Sequence, residues 1–203
     1  ALDADFRIVK ADYFKENGGI IFPNPNAPTG IYMELDQVEE IISRNPDSIV
    51  IVDEAYVDFA GPSAMELVDK YDNLLVVQTF SKSRSLAGMR IGFAVGQPRL
   101  IKYLNDVKYS FNSYTLNQTS LACGVEAVKD QAYFNETRTR IMKTREHAKE
   151  VLGEMGFSFP DSKANFLFIN HPDYPAKELF QALRQKDIYC LLYTSPSPRD
   201  VEE

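Results

Sequence analysis

Three short segments of this sequence concentrate side chains able to do covalent and anion-binding chemistry. Asn24-Pro-Asn-Ala-Pro-Thr-Gly30 is a turn, Asp53-Glu-Ala-Tyr56 closes an apolar run, and Thr79-Phe-Ser-Lys-Ser-Arg-Ser-Leu-Ala-Gly-Met-Arg90 sets Lys82 among hydroxyls with Arg90 eight residues further on. A neutral lysine amine adds to a carbonyl, so Lys82 is a candidate imine-forming nucleophile. Hydroxyls and an arginine fork suit a phosphate, because two parallel N–H donors match two phosphate oxygens. Together these residue types describe a site for an anionic, carbonyl-bearing cofactor. From spacing alone the plainer reading stays open, that Lys and Arg after a strand are solvated loop charges.

The elements that must position these groups alternate in kind. β-rich runs at 19–22, 48–53, 74–79 and 90–95 are separated by turns and by an amphipathic helix at 34–44, in which Leu35, Val38, Ile41 and Ile42 recur at spacings of three and four. Such alternation reads as an α/β layered fold with a mainly parallel sheet, in which reactive groups gather at the carboxyl ends of strands. The continuous apolar run at 48–53 predicts a strand buried on both faces. Gly30 suits a turn that needs an unusual backbone angle, and Gly88 and Gly92 suit close backbone approach. Beyond Gly96 the pattern predicts long helices at 98–107, 116–129 and 133–155. Short strands at 157–160 and 165–169, a helix at 175–185 and a last strand at 188–189 follow, as a second, smaller α/β unit.

Composition bounds the function. The 203 residues are 44% hydrophobic and carry 22 Lys+Arg against 29 Asp+Glu, a formal charge of −7 that argues against a nucleic-acid partner. Apolar runs such as Ile49-Val-Ile-Val52 are too short to span a bilayer, so no membrane partner is expected. Cys123 and Cys190 make no disulfide framework or metal-ligand spacing, so no metal is expected and a reducing, cytoplasmic compartment is. The opening residues 1–7 read as mid-domain sequence. The Ser/Pro-rich stretch from Cys190 resembles a translated sequencing-library adapter, so 190–203 is expected to be a non-native tail.

The three motifs, in this order, resemble those of the fold-type I pyridoxal-phosphate aminotransferases, and the resemblance covers residues 1–189, the middle of that family's chain. It is closest to the branch acting on histidinol phosphate. The resemblance implies an aspartate-aminotransferase-like three-layer large domain, with residues 1–130 part of it. Residues 131–189 would be a long linking helix and part of a smaller C-terminal α/β domain. It implies pyridoxal 5'-phosphate as cofactor, with Lys82 as Schiff-base lysine and later general acid/base, and Asp53 as partner of the pyridine nitrogen. It further implies Tyr56 at the cofactor's ring oxygen, and Thr79, Ser81 and Arg90 at its phosphate. The family usually has Asn immediately before Pro-Thr-Gly where this chain has Ala27, so Asn26 or Asn24 is expected to contribute instead. Asn165 resembles a position near the substrate carboxylate.

The implied reaction is transamination between histidinol phosphate/imidazole-acetol phosphate and glutamate/2-oxoglutarate in histidine biosynthesis. A small-molecule amino donor and a phosphorylated keto acceptor would be the partners, and a homodimer the assembly. The 203-residue chain itself is expected to show negligible turnover, because the resemblance places further site residues outside it. A threonine-phosphate decarboxylase, another class I/II aminotransferase, or an aminotransferase-like sensing domain of a transcription regulator would share the same motifs. His147 and His171 read as solvated, Arg84 as a surface charge, and Tyr109 and Tyr114 as aromatic core. Ser81-Lys-Ser83 lacks the preceding glycines of a nucleotide phosphate loop.

Overall fold

The computed structural model of the protein describes residues 11–193; residues 1–7, read above as mid-domain, and 194–203 of the expected tail lie outside that range. Four strands form one sheet in sequence order: β1 (Ile20–Pro23), β2 (Val50–Asp53), β3 (Leu74–Thr79) and β4 (Gly92–Gly96). The first three are parallel and β4 returns antiparallel to β3, with Phe22, Val52, Val76 and Val95 in register across the sheet. Side chains alternate along a strand. Ile20, Phe22, Val50, Val52, Leu74 and Val76 therefore share one face, where they are buried in a single cluster with Val38, Ile41 and Ile42 of α1 (Leu35–Ser43) and with Ala64, Leu67 and Val68. Helix α1 begins where the sequence pattern placed it, with the Gln37 side chain accepting the Glu34 backbone N–H at 3.3 Å.

The opposite face is only partly covered among the described residues, with Leu75 buried near β4. Ile21 is 69% exposed there, and Ile51 and Asp53 are only half-buried, which corrects the expectation that the 48–53 run is covered on both sides. Helix α1 and the turn at Ala64–Leu67 pack against one face only.

After β4 come α2 (Pro98–Phe111), α3 (Gln118–Lys129) and the long α4 (Gln131–Glu154), which ends at Gly156 in the left-handed region with φ +87. Helix α5 spans Ala176–Arg184. The strands expected at 157–160, 165–169 and 188–189 do not form: a single antiparallel bridge, Ser158 to Asn170, replaces the first two. An isolated strand pair is marginal in water, and here the aromatic side chains pack on one another instead, Phe157 on His171 and Phe168 on Tyr193. Two further expectations fail. A side-chain carbon at Gly88 would meet nothing within 4 Å, whereas one at Gly92 would lie 3.2 Å from the Gln78 carbonyl. Tyr109, Phe111 and Tyr114 are 63%, 78% and 95% exposed, so this aromatic stretch is surface and not core among the described residues.

Candidate active site

Because β1, β2 and β3 are parallel, their carboxyl ends lie along one edge, and the three chemistry-bearing motifs leave the sheet side by side. The Asn24 N–H donates to the Asp53 carbonyl and the Glu54 N–H to the Val77 carbonyl, each at 2.8 Å, so the turn after each strand is tied to its neighbour. Asp53 is in register with Val77 in β3, and Thr79, two residues further along, shares its face of the sheet. Asp53 Oδ1 accepts the Ala55 N–H at 3.0 Å. Glu54 turns to the other face, is 2% exposed, and accepts from Ser63 Oγ, the Ala64 N–H and Gln78 Nε2 at 2.5, 2.6 and 2.8 Å. Burial pushes its carboxyl up from the ordinary value despite those three donors. Of the two carboxylates only Asp53 has room for a ligand.

Thr79 ends β3. The Ser81 N–H donates to Thr79 Oγ1 at 3.1 Å, and the two hydroxyl oxygens lie 2.9 Å apart. Lys82 opens a tight turn closed by the Ser85 N–H on its carbonyl at 3.1 Å, with Ser85 at φ +55. The half-buried Lys82 Nζ sits 5.2 Å from the centre of the Tyr56 ring and has no hydrogen bond or ion pair among the described residues. Tyr56 in turn meets Phe166 edge-on, with ring centres 5.0 Å apart. Arg90 is exposed and left-handed at φ +56. It donates to the Ala87 carbonyl at 3.0 Å and pairs with no carboxylate among the described residues. Its neighbour Ile91 accepts the Phe80 N–H at 3.1 Å, which keeps Arg90 beside the Thr79–Ser81 corner.

The asparagines of the first turn have other partners. The Asn24 side chain, 3% exposed, bonds both the N–H and the carbonyl of Met33, at 2.7 and 2.9 Å, so it closes the turn and has no amide group to offer a ligand. Asn26 Nδ2 donates to Thr29 Oγ1 at 2.6 Å. Arg84, expected as a surface charge, is instead half-buried, 4.2 Å over the Phe134 ring and donating to the Ala127 carbonyl at 2.6 Å. The apolar stem and planar head of arginine suit such a stacked position.

Several positioning groups have partners too distant in sequence for spacing to find. Ser83, next to Lys82 and 3% exposed, donates to Asp58 Oδ2 at 2.5 Å and so ties the lysine turn to the segment carrying Tyr56. Gly30 at φ +75 packs so closely on Ser162 that a side-chain carbon would lie 2.0 Å from Ser162 Oγ. The signal for Gly30 was present in its Pro-Thr-Gly turn; that for its partner was not. Asn165 is exposed and lines a cavity of about 600 Å³ with Ser85, Arg145 and Phe166. Lys82, Asp53, Tyr56, Thr79, Ser81 and Arg90 do not line it. Asn165 thus reaches the lysine end indirectly, through its neighbour Phe166 against Tyr56 and through the cavity it shares with Ser85 of the lysine turn. His147 is exposed, as expected, whereas His171, expected as solvated, is half-buried between the Phe157 and Tyr174 rings.

Residues 3–199 match the family described as aminotransferase class I and II. This chain belongs to that family. A curated histidinol-phosphate aminotransferase of Brachyspira hyodysenteriae is 53% identical over 195 residues, which is 96% of this chain and 55% of that one. This aminotransferase chain thus spans about half the length of the curated relatives it matches. Among solved structures, the histidinol-phosphate aminotransferase of Clostridium acetobutylicum superposes with a TM-score of 0.84 at 22% identity, covering 93% of this chain and 59% of that one. That of Sinorhizobium meliloti, solved in complex with pyridoxal-5'-phosphate, gives 0.78 at 21%, covering 90% of this chain and 50% of that one. At such identities the likeness speaks for the aminotransferase fold.

Proposed function

We propose that the chain carries the cofactor half of a pyridoxal-phosphate-dependent aminotransferase that exchanges an amino group between histidinol phosphate/imidazole-acetol phosphate and glutamate/2-oxoglutarate in histidine biosynthesis. The observation that carries this reading is Lys82: a half-buried amine without a partner among the described residues, at the end of β3, facing the Tyr56 ring on the strand edge that also bears Asp53. The 53% identity to a curated histidinol-phosphate aminotransferase supports the substrate.

The donor set fits pyridoxal phosphate. The Lys82 amine suits an aldehyde; the Asp53 carboxylate, holding one backbone donor, has capacity for a ring N–H; Thr79, Ser81 and Arg90, which pairs with no carboxylate among the described residues, suit a phosphate. When bound, this cofactor supplies an aldehyde and an electron-withdrawing ring that stabilises negative charge at the substrate α-carbon. Lys82 would hold the cofactor through its aldehyde carbon, with loss of water, and its amine, when free, would serve as general base toward the proton on the substrate α-carbon. Asp53 holds a proton at the ring nitrogen, and Tyr56 presents its hydroxyl to the ring oxygen. Asn26, already turned toward Thr29, is assigned the side of that oxygen, and Asn165 the substrate carboxylate.

We further assign residues 1–130 to the large cofactor domain, 131–189 to the linking helix and part of the small domain, and 190–203 to a non-native tail. The active unit of this reading is a cytoplasmic homodimer. The apolar surface of α2 and α3, including Val107 and Val125 at 60% and 52% exposure, supports burial against further protein. Borohydride reduction of the cofactor-loaded protein followed by peptide mass analysis tests the reading. The pyridoxyl group is expected on Lys82; its appearance on another lysine alone refutes the assignment.

A further inference from the structure

We propose that Arg145 of α4 is a positioning residue that sets how closely Asn165 and Phe166 approach the Tyr56–Lys82 pair, a proposal that rests on the role given to Lys82 above. Arg145 is 8% exposed on a helix otherwise rich in solvated charge, and a buried guanidinium is costly unless its donors are used. They are used across the site. One terminal nitrogen donates to the carbonyls of both Phe59 and Ala164 at 3.0 Å, and Nε donates to Glu146 at 2.7 Å. Phe59 ends the turn that begins just after Tyr56, and Ala164 immediately precedes Asn165. A single group thus joins the turn after the cofactor motif to the bend that carries the substrate-side residues.

That bend is tied together internally. Ser162, fully buried, donates to the Phe166 carbonyl at 2.6 Å and accepts the Ala164 N–H at 3.2 Å. The bend is also anchored by the Lys163 N–H on the Gly30 carbonyl at 2.8 Å, by Asp161 on Lys149 of α4 at 2.7 Å, and by the Phe166 ring on Tyr56. Without the Arg145 bridge the bend keeps its seat on the first turn but is held to the second, among the described residues, by the Phe166–Tyr56 ring contact alone. Phe166 is then free to withdraw from Tyr56, and Asn165 with it. A lysine cannot replace the bridge, because a compact ammonium on a flexible stem does not reproduce the planar fork.

The test uses a cofactor-loaded chain of the relatives' full length carrying this segment, and compares Arg145→Met, Arg145→Lys, Phe166→Leu and the Arg145→Met/Phe166→Leu pair. Lys143→Met, which removes an exposed cation of the same helix that does not line that cavity, is the control. The expected result is cofactor capture at Lys82 within about twofold of the unmodified enzyme, with KM for the amino substrate raised about tenfold by Arg145→Met and kcat changed far less. Arg145→Lys moves KM in the same direction, and carries the test if Arg145→Met does not fold. The double variant is expected to be no worse than the poorer single variant, because both remove the same placement, and Lys143→Met is expected to change nothing. An unchanged KM in the folded Arg145 variants, or effects of Arg145 and Phe166 that multiply independently, overturns the proposal. Failure of the unmodified enzyme to load at Lys82 refutes the functional reading instead, so the two failures are separable.

Discussion

Lys82 is the residue on which the chemistry turns, and its variants separate capture from the rest. Lys82→Ala is expected to abolish covalent cofactor retention through dialysis and the visible absorbance that accompanies it, while leaving the unfolding midpoint nearly unchanged, since the side chain makes no hydrogen bond among the described residues. Asp53→Asn is expected to keep capture and to lower turnover roughly 10- to 1,000-fold, the scale on which a neighbouring carboxylate favours a protonated base. Ser83→Ala deletes a buried hydrogen bond to the Asp58 carboxylate and is expected to cost about 1.5–3 kcal/mol in denaturant unfolding. At this scale the sequence was legible where chemistry dictates residue type: a lysine after a strand, a carboxylate at a strand end, hydroxyls with an arginine beyond. It was not legible where a side chain's role depends on a partner far along the chain. Arg84 over Phe134 and Arg145 on the carbonyls of Phe59 and Ala164 look, in one dimension, like any other surface cations.

Elements were read correctly where a local signal fixes them. Apolar runs gave all four strands of the sheet to within two residues at each end, and three-four spacing gave α1. Misreadings came where cover or pairing decides. Whether the 48–53 run is buried on one face or two depends on what lies against it, and two aromatic runs after α4 form one bridge and not a ladder because no third strand joins them among the described residues. The first turn shows how an element seats a site. Gly30→Ala must adopt φ +75 and place a carbon 2.0 Å from Ser162 Oγ, so it is expected to destabilise the fold by more than about 2 kcal/mol. Ser162→Ala is not expected to rescue it, since the Ser162 Cβ itself lies 2.5 Å from the added carbon. Chemical denaturation of the two single variants and the pair decides this, and rescue to the Ser162→Ala level would show that the hydroxyl alone causes the clash.

Across the whole molecule, α4 is linked to the bend bearing Asn165 by a run of charges, and that run predicts a pH dependence. Arg145 and Lys149 both reach Glu146, Lys149 also reaches Asp161 at 2.7 Å, and Lys163 reaches Asp161 at 2.9 Å. Burial by itself would raise the Glu146 carboxyl, but the hydrogen bonds from Arg145 and Lys149 outweigh it and hold the group below its ordinary value. Asp161 is likewise held down, by Lys149 and Lys163 against burial. A carboxyl held low in the folded state contributes stability that is complete above its unfolded value and is lost as pH falls through the folded one. The buried Glu54, pushed up by burial, contributes the opposite slope above its ordinary value. The unfolding midpoint is therefore expected to drop as pH is lowered from about 5 toward 3, ordinary carboxylates titrating near 4. Glu146→Gln with Asp161→Asn should flatten that drop, and Glu54→Gln should steepen it. Because the Glu146 and Asp161 side chains are 51% and 68% exposed, much of their effect is screened, and added salt should flatten the profile further. Thermal unfolding followed by circular dichroism at stepped pH, with and without salt, measures this. A drop of the same steepness in the Glu146→Gln/Asp161→Asn variant would show that these charges do not fasten the bend to the helix.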